Sequence, residues 1–210
     1  MNRIRIIVFF IYCFSCFSLS AKIRMRDVFA TMPDSLLTLV TTNNRLDCID
    51  FIENSMQAKV KNKAGDFVEM KKLTDNYLLF ETSGVSCVEM KLFSSSDSTA
   101  VICVVETVKG PASDSYIHFY DQSWQPVLTY NSKVVRPTVE SFFPNIPDEK
   151  RKDIDDAINE LRDMTLMEAR LSASDNTLTW TLSVSELSKE IKKAAQECVQ
   201  PVVVSIVFEN

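Results

Sequence analysis

Hydrophobic and polar residues alternate in short segments between residues 56 and 130. Successive side chains of a strand point to opposite faces of a sheet, so this alternation predicts consecutive half-buried β-strands. The segments are joined by short turns rich in Gly, Asn, Asp and Ser, and such short connections favour antiparallel pairing. The pattern therefore predicts a strand meander over residues 56–130.

One segment of this meander, Ala100–Val105, is apolar at every position. A strand without polar positions is typical of the interior of a sheet that is covered on both faces. Its partner is predicted to be Asp114–Tyr120, which follows the loop at Gly110-Pro111. We therefore expect Ala100–Val105 to be a middle strand with a second layer of structure behind it.

Apolar residues recur at helical spacing in the segments that precede and follow the meander in the sequence. Residues 25–55 predict a helical lead-in, whose apolar face is formed by Leu46, Ile49, Ile52 and Met56. Residues 148–208 predict a helix, a hairpin, a helix that begins in a capping box at Ser183–Glu186, and a buried last strand. The expected fold class is α+β: a curved, mainly antiparallel meander sheet of about 8–10 strands with about three helices packed on it.

The first 20 residues have the three-part pattern of a secretory signal peptide. Arg3 and Arg5 precede an uncharged apolar run, and small residues at Ser18 and Ser20 suit cleavage before Ala21. An uncleaved membrane anchor and lipoprotein processing at Cys16 are the alternatives. We expect residues 1–20 to be removed, which leaves residues 21–210 as a single α+β domain. That domain is predicted to be periplasmic or secreted, with no transmembrane span.

The net charge and composition exclude several functions. The whole chain has a formal net charge of −5, and loss of Arg3 and Arg5 would make it about −7, which disfavours binding to nucleic acid. The chain has three glycines and no glycine-rich phosphate loop. The acids at Asp153, Asp155 and Asp156 are interpreted as a solvated helix face, so neither a cofactor nor a metal is predicted.

Four cysteines would remain after cleavage: Cys48, Cys87, Cys103 and Cys198. None is part of a C-x-x-C pair, so the sequence does not favour a zinc or thioredoxin-like site. Export allows disulfides, and Cys87 and Cys103 lie in neighbouring predicted strands. The alternative is that all four are small buried hydrophobic residues. Their pairing stays open at this point.

The chain contains one histidine, His118, in the alternating segment Tyr116–Tyr120. This alternation places Tyr116, His118 and Tyr120 on one face of a strand, with Ile117 and Phe119 on the other. If Ile117 and Phe119 face the core, the three rings form an exposed platform on which a ligand can stack. The alternative is that they are ordinary aromatic strand residues with high β-propensity.

Several strings resemble a family of exported, uncharacterised bacterial proteins that is described as a domain of unknown function. They are Met32–Leu37, Asn43–Asp47, Asp75–Tyr77 and Gly110–Ser115. The resemblance covers most of the chain after residue 20 and implies an origin in a Gram-negative cell envelope. It supplies no catalytic residues.

Three functional hypotheses follow. The first is a non-enzymatic exported protein that binds an unknown envelope protein or an apolar small molecule, because no catalytic set of residues is recognisable. The second is a carrier of an apolar ligand or lipid in the concave face of a curled sheet. The third is a hydrolase whose two carboxylates lie roughly 5–10 Å apart in a cleft, which a sequence does not reveal.

Overall fold

The computed structural model describes residues 23–94, 100–131, 134 and 136–207, which form three layers. Two helices form the first layer, and a six-stranded sheet forms the second. A three-stranded sheet and two further helices form the third. The predicted signal peptide, including Cys16, and Phe208 lie outside the described residues.

The α-helices are α1 (Met25–Thr31), α2 (Thr42–Glu53), α3 (Leu128–Asn131), α4 (Arg151–Asp163) and α5 (Lys189–Cys198), with 3-10 turns at Val139–Phe142 and Asp148–Lys150. The strands of the larger sheet are β1 (Lys59–Lys61), β2 (Phe67–Leu73), β3 (Tyr77–Ser83), β4 (Ser86–Ser94), β5 (Ala100–Val108) and β6 (Asp114–Tyr120). Those of the smaller sheet are β7 (Met167–Leu171), β8 (Thr177–Leu182) and β9 (Val202–Ser205).

All strand pairs are antiparallel, and neighbours in each sheet are also neighbours in sequence. The α+β class and the antiparallel meander are therefore confirmed. The nine described strands form two sheets, however, and not a single one. The break follows β6, where a proline-marked segment and α4 separate the meander from β7. Proline donates no ladder hydrogen bond, so this segment does not extend the first sheet.

One face of the larger sheet packs on α1 and α2. Apolar side chains from β2 to β5 meet Met25, Val28 and Phe29 of α1 and Cys48 and Ile49 of α2. The opposite face packs on the smaller sheet, α4 and α5. Ile102 and Cys103 of β5 belong to different cores and are both fully buried. This arrangement confirms that Ala100–Val105 is covered on both faces.

The predicted apolar face of α2 is correct only in part: Ile49 is buried and Ile52 packs against the same core, but the other two predicted residues are exposed. Leu46 and Met56 are 46% and 52% exposed, whereas Arg45 and Cys48 are fully buried. The helix begins with a capping box in which Thr41 and Asn44 bond each other's backbone N–H. The helix is rotated so that Arg45 points inward, because the guanidinium binds three backbone carbonyls of the segment before the helix.

Two predicted boundaries and the predicted burial of the last strand also differ from the structure. The meander ends at Tyr120, and Leu128–Asn131 is a helix. The predicted capping box at Ser183–Glu186 is wrong, because α5 begins at Lys189 and the Ser188 side chain makes no cap hydrogen bond. The last strand is not buried inside a sheet. It pairs only with β8, at the sheet edge, and Val203 is 61% exposed.

The edge of β7 that does not pair with β8 is covered by side chains of the larger sheet. The Met167 N–H donates to Asp114 Oδ1 (3.2 Å), and the Ala169 N–H donates to Ser115 Oγ (2.9 Å). The Leu171 N–H donates to Glu89 Oε2 (2.9 Å). Unpaired backbone donors are costly when buried, so these alternate contacts stabilise the packing of one sheet on the other.

Candidate ligand cleft beside strand β6

The predicted platform residues lie on β6, which is the last strand of the larger sheet. Tyr116 is 56% exposed and His118 is exposed, whereas Phe119 is buried and Ile117 is partly buried in the opposite core. The strand therefore presents Tyr116 and His118 on the face that α1 and α2 cover elsewhere. Tyr120 is the β6 residue that packs against the α1–α2 core, and neither Tyr116 nor His118 belongs to it.

Tyr120 differs from the other two platform residues because it is half buried. Its ring lies 6.4 Å from that of His118 and 5.6 Å from that of Trp124, measured between centroids and with tilted planes. Burial and the nearby negative charge of Glu106 raise the pKa of the Tyr120 phenol. Tyr120 thus joins the platform to the core, and Tyr116 and His118 form its accessible part.

A cleft of about 280 Å³ lies on the same face of the sheet, beside Tyr116. The segment Leu36–Val40 forms one wall, and the ends of β3, β4 and β5 form the floor. Glu106 lines the cleft and is the direct cross-strand partner of Tyr116. Directly opposed side chains of antiparallel strands lie about 5 Å apart at Cβ, so the cleft and the platform are continuous. We call this the Glu106 cleft.

Glu106 is half buried, and no described group donates a hydrogen bond to its carboxylate or forms an ion pair with it. Other half-buried acids of the larger sheet have basic partners: Glu69 with Lys71, Glu81 with Lys71 and Lys109, and Asp114 with Arg136. Glu106 lies between Val88 and Tyr116 in the same cross-strand row. It is therefore a free negative charge in an otherwise largely apolar cleft.

Three hydroxyl groups form a second polar feature of the cleft. Ser86 Oγ is 2.7 Å from Thr82 Oγ1 and also 2.7 Å from Ser83 Oγ. Side chains of consecutive strand residues normally point to opposite faces. A register shift between Glu81 and Ser83 breaks that rule here and brings both hydroxyls onto Ser86. β-Bulges of this kind often redirect side chains next to functional sites.

Arg45 fixes the wall of the cleft. Its guanidinium donates to the carbonyls of Phe29 and Val40, at 3.1 Å each, and to that of Met32. It also donates to Asp34 Oδ1 (2.9 Å), and this hydrogen bond lowers the pKa of Asp34. The segment that leads to Leu36–Val40 is thereby held by one buried side chain with a rigid fork of donors.

The Glu106 cleft was not predicted from the sequence. The predicted apolar strand ends at Val105, whereas β5 continues to Val108 and includes Glu106. The sequence contains one indication of the site. Glu106 follows the buried Val104 by two residues, so an acid near the end of an apolar strand points to the same face as a core residue. The wall at Leu36–Val40 has no such signal, because it is brought there by tertiary contacts.

The cysteines that were proposed as strand neighbours do not face each other. Cys87 lies opposite Thr107, and Cys103 lies opposite Lys91. Cys48, Cys87, Cys103 and Cys198 are all buried free thiols. Burial raises the pKa of each of the first three, to about 11 for Cys48.

A wider, open depression of about 830 Å³ lies between the β2–β3 turn, the β7–β8 turn and β9. Asp75, Asp175 and Asn176 contribute polar groups, and Leu92 and Phe93 contribute apolar ones.

Within the described part of the chain, His, Cys, Asp and Glu side chains form no group of three suited to a metal ion. In the same residues, no helix combines the length and the apolar character needed to cross a membrane.

The protein is thus an α+β protein with a small cleft on one face of an antiparallel sheet, and the floor of this cleft carries polar side chains. The chain is a member of the family described as "Protein of unknown function (DUF3256)", whose model matches residues 16–208. A solved domain of an uncharacterized protein from Porphyromonas gingivalis W83 is similar, with a TM-score of 0.68 and 28% sequence identity. That alignment covers 86% of this chain and 92% of the other. No curated protein matches the chain.

Proposed function

We propose that this protein is a non-enzymatic binding protein of the cell envelope and that it binds its partner at the Glu106 cleft and the adjoining Tyr116–His118 platform. The observation that carries the proposal is the free carboxylate of Glu106, which is half buried between an apolar wall and an exposed tyrosine. Export is supported by the signal-peptide pattern of residues 1–20.

Binding is favoured over catalysis because the cleft lacks a set of groups that would activate a nucleophile. His118 is the one histidine of the chain, and its ring lies next to that of Tyr120; among the described residues, no acid or nucleophile forms a hydrogen bond with it. A general base requires a group within hydrogen-bond reach of the reacting proton. The hydrolase hypothesis therefore lacks a specific observation in its favour.

The carrier hypothesis is weaker for a physical reason. Both faces of the larger sheet from β2 to β5 are filled by buried side chains. The Glu106 cleft, at about 280 Å³, is near the lower limit of pockets that bind drug-sized ligands, roughly 300–1,000 Å³. A space of this size suits one side chain or a small molecule better than an acyl chain.

Site-specific photocrosslinking tests the proposal. A photoreactive phenylalanine is placed at Tyr116 and, as a matched control, at the exposed Lys152 of α4 on the opposite side of the sheet. We expect a discrete adduct from position 116 in the envelope fraction and none from position 152. The purified protein is also assayed with ester, glycoside and peptide substrates. Turnover that is lost in His118→Ala would contradict the proposal.

A further inference from the structure

We infer that the Glu106 cleft receives a lysine or arginine side chain that a partner polypeptide presents. This inference rests on the proposed binding function and adds the chemistry of the group that is bound.

The charge of the cleft favours a cation. A carboxylate that is partly removed from water without a partner is unfavourable, and an opposite charge within about 4–6 Å offsets that cost. Glu69, Glu81 and Asp114 obtain this compensation from basic side chains of the same protein. Glu106 has no such partner among the described residues, so a bound cation would supply the compensation that its neighbours obtain within the protein. An anionic ligand would instead be repelled.

The remaining polar groups of the floor are suited to accept hydrogen bonds. The hydroxyls of Thr82, Ser83 and Ser86 bond one another and keep unused lone pairs. Ser86 is diagonal to Glu106 on the same face of the β4–β5 ladder, because Ser86 pairs with Val108 and Val88 pairs with Glu106. An ammonium has three donors and a guanidinium has five, so either can use the carboxylate and the hydroxyls together.

The walls suit the alkyl stem of such a side chain. Leu37 and Val40 are buried in the wall, and the exposed Leu39 and Val108 extend the apolar surface to the mouth. Lysine and arginine bury their methylene groups along apolar surface while the charged head reaches a polar site. The ring of Tyr116, opposite Glu106, adds a face on which a cation can rest.

The surroundings of the cleft favour a polypeptide over a free cation. Leu39 and Val108 of the cleft, Tyr116 of the adjoining strand and Val85 of the β3–β4 turn are large, exposed apolar residues. Apolar residues grouped around a polar centre are typical of protein-binding surfaces. A divalent metal ion usually binds several charged or imidazole ligands, whereas the cleft offers one carboxylate and three neutral hydroxyls.

The test is an NMR titration of the purified ¹⁵N-labelled protein with three capped amino acids. They are the Nα-acetyl N-methylamides of lysine, arginine and norleucine, and norleucine supplies an alkyl side chain without the charge. We expect the two cationic probes to shift the amide signals of Ser86, Glu106 and Val108 in a saturable manner. Norleucine is expected to bind about tenfold more weakly, the loss that corresponds to about 1.4 kcal/mol.

Two variants complete the test. Glu106→Gln is expected to reduce the affinity for the lysine probe to that for norleucine, whereas Glu81→Gln, an acid of β3 with its own basic partners, leaves it unchanged. Equal shifts by all three probes, no shifts in the cleft, or unchanged affinity in Glu106→Gln would overturn the inference. The comparison of probes uses the unaltered protein, so it does not depend on the folding of a variant. If Glu106→Gln leaves the crosslinking from position 116 unchanged, the proposed binding function still stands, and only the inference of a cationic ligand is contradicted.

Discussion

The Glu89 carboxylate of the larger sheet accepts a hydrogen bond from the Leu171 N–H of the smaller sheet, with an N–O distance of 2.9 Å. The same carboxylate accepts from Tyr77 Oη (3.1 Å) and Arg170 Nη1 (3.0 Å). Burial and the negative charge of Glu89 raise the pKa of the Tyr77 phenol. Glu89 therefore joins the two sheets through two donors of β7, Leu171 and Arg170, while Tyr77 of its own sheet supplies the third hydrogen bond to the buried carboxylate.

Glu89→Gln is expected to lower the free energy of unfolding by about 1–3 kcal/mol. The substitution removes the negative charge and replaces one accepting oxygen by an NH2 group, which cannot accept the hydrogen bonds that Glu89 receives. Glu89 is 2% exposed, which is why the effect should be large. Urea denaturation measures it. Glu168→Gln removes a more exposed acid that also contacts Arg170 and should cost less than about 0.5 kcal/mol. Equal losses in the two variants would contradict the role given to Glu89.

Arg45→Met is expected to destabilise the protein by about 3–5 kcal/mol, because three carbonyls and Asp34 lose a buried donor. The wall of the Glu106 cleft should loosen with it. Hydrogen exchange is the measurement, and faster exchange is expected within Leu36–Val40. Arg162→Met, which removes an exposed ion pair with Glu140, should cost less than about 1 kcal/mol. Unchanged exchange in that segment would refute the proposed anchoring.

Lys91 is expected to titrate below an ordinary lysine. Burial lowers its pKa, and the charge of Asp175 opposes this effect only in part. Between the folded pKa and the unfolded value of about 10.4, the unfolded chain binds more protons at this site, so its contribution to stability rises with pH. Carbon-detected NMR of the lysine side chains measures this titration. Lys71, whose pKa is raised by its hydrogen bond to Glu69, is the internal control. A higher pKa for Lys91 than for Lys71 would contradict the prediction.

The four described thiols should be reduced and protected. Cys48, Cys87, Cys103 and Cys198 are buried and unpaired, so iodoacetamide is expected to leave them unmodified in the native protein at pH 8. In guanidinium chloride without a reductant, each should carry one alkyl group by mass spectrometry. Two unreactive cysteines that become reactive after reduction would reveal a disulfide and contradict the structure.

The fold was largely predictable where hydrophobic periodicity and burial agree. β6 begins and ends at the predicted residues, because its buried side chains alternate with exposed ones along the whole strand. The second sheet was not predicted as separate, because Glu89 and Lys91 have the polarity of solvent-facing residues. Both are buried, and their polar groups bind backbone atoms of the smaller sheet. Sequence periodicity does not distinguish water from a buried polar partner.

The candidate site was predictable only in part. Alternation placed Tyr116 and His118 on one face of a strand, and both are exposed. Glu106 acquires its importance from two tertiary relationships, the pairing of β5 with β6 and the approach of Leu36–Val40. The latter depends on Arg45, which is far along the chain from Glu106. Such contacts between distant segments are not encoded in any local pattern.

The proposal that a partner is bound through Glu106 is tested most directly by photocrosslinking from position 116 in cells that produce the protein with or without Glu106→Gln. We expect a discrete adduct in the otherwise unaltered protein, a reduction of its yield by about tenfold in Glu106→Gln, and no reduction in Glu81→Gln. An adduct of equal yield in all three proteins, or one formed equally from position 152, would contradict it.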